Sequence, residues 1–250
     1  SFTNDASGTG IGSIDSAGSV STDAGFSIIS YTGNNTAGAT IAHGLGVVPS
    51  MYIIKNRSAA EPWMVYHQSL GNTKALYLNT TGAAATSAVY TNNTSPTSSV
   101  LSLGNWEGNN GDGNSLIAYC FAEKQGYSKF GSYTGNGNAD GTFVYTGFKP
   151  AMVIIKPSSK VEEWCLLDNK RNSTGNPMDK ELKPNDAAVE ADADRLDFLS
   201  NGFKIRTASG QYNTSAATMV YMAFASNPFV SSSGVPACAR WWLIEKYNNY

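Results

Sequence analysis

The chain has 250 residues, of which 41% are hydrophobic and only 14% charged, against about 25% charged in a typical soluble domain. Ser, Thr, Asn and 25 Gly stand in for the missing charge, and the formal net charge is −2. That balance excludes wholesale disorder, and it excludes the Lys/Arg field that neutralises nucleic-acid phosphates.

No apolar run reaches the roughly 18–20 residues that cross a bilayer as a helix, and residues 1–5 lack the basic and apolar regions of a secretion signal. Neither nucleic acid nor membrane insertion is therefore expected. Cys120, Cys165 and Cys238 are odd in number and fit no metal-ligand spacing. The first two sit in apolar runs, where a thiol packs as a small hydrophobe, and the set suits a protein folded in a reducing cytoplasm.

In chain order, residues 1–24 are rich in Ser, Gly, Ala and Asp, and they read as a linker or an arm that docks on a neighbour. From residue 25 the periodicity is that of strands. Residues 50–55 form a short apolar run bounded by Pro49 and a polar turn, and 98–103 and 116–121 are further strands. Turn clusters rich in Asn and Gly separate them at 33–35, 92–93 and 108–114. The pattern then starts again. Ser30-Tyr31-Thr32-Gly33-Asn34 recurs as Ser132-Tyr133-Thr134-Gly135-Asn136, and GVVPSMYIIK (46–55) recurs as GFKPAMVIIK (147–156) with six of ten positions identical. Trp63 and Trp164 each follow the terminal Lys of that motif, Lys55 or Lys156, by eight residues. Residues 74–79 match 180–185 at three positions, and Phe121-Ala122 corresponds to Phe224-Ala225. In the second copy, 151–156, 196–199 and 217–224 are strands, and 187–194 reads as a loop.

A period of roughly 100 residues is too long for a solenoid unit and matches a domain with its own core. The reading is all-β: two tandem homologous antiparallel β-sandwich or barrel-like domains. The first spans 25–123 and the second 124–227, following the 1–24 arm. Residues 228–250 form a C-terminal extension whose run Trp241-Trp242-Leu243-Ile244 is expected to pack on its own domain or on another subunit.

The segments GFSIISYTGN and AHGLGVVPSMYIIKNR, then EKQGYSKFGSYTGNGNADGTFVYTGFKPAMVIIK and VYMAFASNPFVSSSGVP, resemble a repeat region of tail and tail-fibre proteins of marine bacteriophages, cyanophages especially. The resemblance covers about residues 24–240. It implies a structural virion component of tail or fibre, assembled in the host cytoplasm, with other tail proteins as partners and a contribution to host attachment. By analogy with fibres it implies a homo-oligomer, with a trimer preferred. In those proteins the region often follows a lectin-like domain. Residues 1–24 hold no such domain, so sugar binding is not expected to carry over from it.

No catalytic constellation, metal site or cofactor motif emerges, and the protein reads as a non-enzyme. His43 matches an apolar position, Val144, and so reads as a structural slot. His67 aligns with Asp168, where either side chain caps a turn or titrates at the surface. The acidic stretch Asp186, Glu190, Asp192 and Asp194 reads as a solvated loop rather than a cation site or a glycosidase pair. The best ligand candidate is the loop 105–114. There Trp106 offers an aromatic face, and Glu107 and Asp112 offer hydrogen-bonding partners for a sugar. Trp106 has no Trp counterpart in the second copy, whereas Trp63 and Trp164 repeat in register and read as core. The alternative to the tail-fibre reading is accordingly a carbohydrate-binding adhesin that recognises host surface glycan.

Overall fold

The computed structural model describes residues 1–172 and 175–226, and these fold as an all-β protein of large antiparallel sheets. The first half contains β1 (Phe2–Asn4), β2 (Ser16–Ser21), β3 (Phe26–Thr32), β4 (Thr40–Ala42), β5 (Met51–Asn56), β6 (Met64–His67), β7 (Lys74–Tyr77), β8 (Ala85–Thr86), β9 (Val100–Ser102) and β10 (Ser115–Phe121). The second half contains β11 (Ser128–Thr134), β12 (Phe143–Tyr145), β13 (Pro150–Pro157), β14 (Cys165–Asp168), β15 (Met178–Leu182), β16 (Ala191–Leu199), β17 (Gly202–Ile205) and β18 (Thr218–Ala225). Helix is confined to single turns: α1 (Ala6–Thr9), α2 (Ala88–Thr91), α3 (Glu107–Asn110) and α4 (Gly210–Asn213).

The strands pair into one sheet of order β1-β2-β3-β10-β5-β6-β7-β8 with a small β4-β9 ribbon, and a second of order β11-β18-β13-β14-β15-β16-β17-β12. The second sheet curls until its ends meet, Thr142 Oγ1 donating to Thr134 O at 2.9 Å. Period-two alternation gives each strand two working faces. In β10, Leu116, Ala118 and Cys120 are buried in the first core, while Ile117, Tyr119 and Phe121 lie half-buried on the opposite face. The first core is completed by residues such as Ile41, Tyr52, Ile54 and Leu101. The second gathers Val153, Leu167, Phe198, Phe203 and Tyr212.

A third core lies between the two sheets. Met51, Val65 and Leu76 of the first meet Phe130, Trp164, Val220 and Met222 of the second. Polar groups pin its margins. Trp164 Nε1 donates to Tyr77 O at 2.9 Å, Gln68 Nε2 donates to Phe130 O at 2.6 Å, and Ala84 N donates to Ser158 O at 2.8 Å. The Gln68 contact also blunts the β11 edge, where the Phe130 N–H faces the Glu123 carboxylate at 3.5 Å.

Residues 1–24 are not a linker or arm. β2 pairs with β3 from Ser16↔Tyr31 to Ser21↔Phe26, β1 pairs with β2, and Ser13 and Ile14 donate backbone N–H groups to Thr40 O. Small side chains are what this seam requires: a Cβ on Gly18 would lie 1.8 Å from Ile28 O. The stretch 187–194 is only partly a loop, since β16 begins at Ala191 and pairs with β15. Ser200 and Asn201 form the turn between β16 and β17. Gly202 already belongs to β17, and a Cβ there would meet Val144 O at 2.1 Å. The extension 228–250 and Cys238 lie outside the described residues.

The two in-register tryptophans have different surroundings, which corrects the expectation that both are core. Trp164 is 3% exposed in the inter-sheet core. Trp63 is half-buried, stacked on Tyr119 at a centroid distance of 6.3 Å with Lys55 Nζ 6.0 Å from its ring. Trp164→Ala should therefore destabilise the protein by roughly 3–5 kcal/mol, and Trp63→Ala by about half that or less. Urea unfolding midpoints of the two variants check this. Equal losses would show that the tryptophans are equivalently packed after all.

Candidate functional site

The loop 105–114 is built around α3. Trp106 occupies the position before the helical turn, and its ring leans on two tyrosines, 5.6 Å from Tyr77 and 5.8 Å from Tyr90 between centroids. The tyrosine hydroxyls hydrogen-bond each other at 2.8 Å. Glu107 is exposed, and its carboxylate accepts from the Asn114 side-chain amide. Asp112 is exposed beyond Gly111. Trp106 and Glu107 are thus neighbours at the start of one helical turn, with Asp112 past its end.

The asparagines of this loop turn inward. Asn109 and Asn110 are fully buried. Asn110 Nδ2 donates to Gly104 O at 2.8 Å and Thr36 O at 3.0 Å, and its Oδ1 accepts from Asn34 N at 3.0 Å. Tyr31 Oη donates to Asn109 O at 2.7 Å. The second half repeats the arrangement around α4. Tyr133 Oη donates to Tyr212 O at 2.7 Å, Asn213 Oδ1 accepts from Asn136 N at 2.8 Å, and Asn213 Nδ2 donates to Thr207 O at 3.0 Å. Gly33 and Gly135 permit this closure, since a Cβ would lie 2.3 Å from Gly111 O or 2.2 Å from Thr214 O. The recurring Tyr-Thr-Gly-Asn tetrapeptide was the visible half of the motif. Its partners, Asn110 and Asn213, were hidden in turn-like composition.

Both histidines serve the fold. Leu45 N–H donates to His43 Nδ1 at 3.3 Å, which leaves the ring proton on Nε2 to meet Thr97 O at 3.1 Å. Ser69 N–H likewise donates to His67 Nδ1 at 3.2 Å, and His67 Nε2 meets Tyr221 O of the other sheet at 3.1 Å. Burial lowers the pKa of His43 and pulls that of His67 down to about 4. His67 caps a turn, as its alignment with Asp168 suggested, but it does so at the sheet–sheet contact rather than at the surface. Asp168 accepts from Lys170 N and Arg171 N and pairs with Arg171 Nε at 2.7 Å.

Other titratable groups are placed where the sequence did not point. Lys156 is fully buried, and its ammonium donates to Pro157 O at 2.9 Å, Lys160 O at 3.2 Å and Thr81 O of the first half at 3.3 Å. Burial brings its pKa down to about 8. Glu181, 1% exposed, accepts from Tyr212 Oη at 2.5 Å and pairs with Arg195 Nε at 2.8 Å. Its counterpart in the matching segment is Ala75, so repetition gave no sign of it. Burial pushes the Cys120 and Cys165 thiols up to about 12, which leaves them protonated and unreactive.

In the acidic stretch, Glu190 pairs with Arg171 and Asp192 pairs with Lys180 at 2.5 Å. Among the described residues, no group of three or more His, Cys, Asp or Glu could hold a metal ion. Two clefts, each of about 340 Å³, lie apart from Trp106. One is polar, between the N-terminal strands near Asn4, Asp15 and Ser30. The other is apolar, at the rim of the sheet–sheet contact, between Phe26, Phe121, Tyr127, Phe130, Met152 and Phe224.

The unfolded chain binds the His67 proton near pH 6.5 and the folded chain only near 4, so between these values unfolding takes up a proton. This contribution to stability is complete above about pH 6.5 and is lost as the pH falls toward 4, by roughly 3 kcal/mol. His67→Gln should flatten that part of the profile, as read from denaturant unfolding at stepped pH. A variant with the wild-type slope would show that His67 is not the group responsible.

No curated protein and no solved structure matches the chain. A family model matches residues 3–228, which spans both sheets and includes the N-terminal strands. The chain belongs to that family, described as a domain of unknown function, DUF7483.

Proposed function

We propose that the protein is a non-enzymatic structural component of a bacteriophage virion, part of a tail or tail fibre, made of two homologous β domains and assembled as a homo-oligomer. The observation that carries the reading is the pairing order. β3-β10-β5-β6-β7 in the first sheet has its counterpart in β11-β18-β13-β14-β15, and β4-β9 has its counterpart in β12-β17. The Asn-centred closures around α3 and α4 match as well. Such agreement supports duplication of one unit.

A tail or fibre must carry load without internal motion. A buried core between the units, fringed by hydrogen bonds, suits that task better than a flexible tether does. The histidines and the buried Lys156 and Glu181 are all spent on packing, which fits a structural role. The sequence resemblance supports a location in the tail, with other tail proteins as proposed neighbours and a contribution to host attachment as the proposed accompanying role.

Antibodies raised against the purified chain should label the tail or fibre of intact particles in negative-stain images. Label recovered only from lysate protein, with none on particles, would refute a place in the virion.

A further inference from the structure

The sheet–sheet contact uses unlike faces of the two units. Register fixes the correspondence: Ile117 and Val220 both pair with the motif lysine, Lys55 or Lys156, while Tyr119 and Met222 both pair with the isoleucine two residues earlier. One strand outward, Ile28 pairs with Tyr119 and Phe130 with Met222. The second unit thus packs Phe130, Trp164, Val220 and Met222 into the contact, while their counterparts Ile28, Trp63, Ile117 and Tyr119 stay half-buried outside it. The receiving face shows the converse. Val65 and Leu76 of the first unit are fully buried in the contact, but their counterparts Leu166 and Leu182 are left half-buried and 38% exposed.

Among the described residues, each chain therefore keeps one unused inserting face and one unused receiving face, of the same kinds that already fit each other inside it. From this we infer that a second copy of the chain docks head to tail. The Ile28–Trp63–Ile117–Tyr119 face of one copy packs on the Leu166–Leu182 face of the next. The inference rests on the two-unit reading proposed above and names the surface of the oligomer. The inserting face is continuous with the existing contact through the apolar cleft of Phe26 and Phe121, so a neighbouring sheet would extend a core already formed. The central positions Met51 and Ile53, with Met152 and Ile154, are already occupied within the chain, so the contact between copies is smaller than the one inside it. A contact of this kind is heterologous and joins copies into a ring or a filament rather than closing at two.

Sedimentation of the full chain from about 1 to about 100 µM tests this. The mass should rise above that of one chain as concentration increases. Trp63→Glu, which spoils the inserting face, and Leu182→Glu, which spoils the receiving face at an exposed position, should each stay at one chain mass while remaining folded, as read from a single cooperative thermal melt. Ile117→Glu replaces Trp63→Glu if the latter fails to fold. An equimolar mixture of the two variants should form a species of two chain masses, because each supplies the face the other lacks. A wild-type chain that stays monomeric, a single variant that assembles like wild type, or a mixture that stays monomeric would each overturn the proposal. None of these results would alter the matching strand order on which the two-unit reading stands.

Discussion

The structure depends on apolar contact between the backs of two β-sheets. A sheet with one face on its own core still presents a second apolar face wherever its strands alternate large residues outward, as β10 and β18 do. Left in water, such faces favour association or aggregation. Here they are turned toward each other, and burying Trp164, Val220 and Met222 against Met51, Val65 and Leu76 supplies the driving force. The polar groups at the margin give that contact its orientation. The Trp164 indole, the Gln68 amide, the His67 ring and the Lys156 ammonium each donate to a backbone carbonyl, and each of these bonds links one half to the other.

Those polar pins have a chemical logic in common. Each is a side-chain donor that reaches a backbone carbonyl across the two halves, worth roughly 1 kcal/mol net. Lys156 is the extreme case, an ammonium that donates to three carbonyls and, among the described residues, to no carboxylate. Lys55, at the matching place of the sequence motif in the first half, reaches Glu61 O at 2.6 Å and lies over the Trp63 ring. One repeated motif thus serves two environments. What differs is whether a sheet lies over it.

Much of the strand content was legible because β10, β13 and β18 carry apolar runs bounded by turns. The N-terminal strands were not legible, because β2 is Ser16–Ser21, a polar run held by its ladder and by the close approach that Gly18 allows. The acidic beginning of β16 was obscured in the same way, since Asp192 faces solvent and pairs with Lys180. At the candidate site, composition misjudged the Asn-rich loop. Asn109 and Asn110 look like turn residues, but they close the core through hydrogen bonds to partners some seventy residues away, which no local pattern reveals. Trp106 and Glu107 open the turn of α3, and Asp112 lies past its end. The two tyrosines under Trp106 come from distant strand and helix positions and were not foreseen. Trp63 and Trp164 show the remaining limit: register identifies equivalent positions, but it does not say which one a neighbouring sheet will cover.

Native-state hydrogen exchange tests most directly whether the inter-sheet core fuses the two halves. The slowest amides of β10 and of β18 should open with the same free energy, within about 1 kcal/mol, because neither half can unfold without exposing the shared core. If one half exchanged through an opening several kcal/mol cheaper while the other stayed protected, the sheets would be independent bodies in contact, contrary to this account.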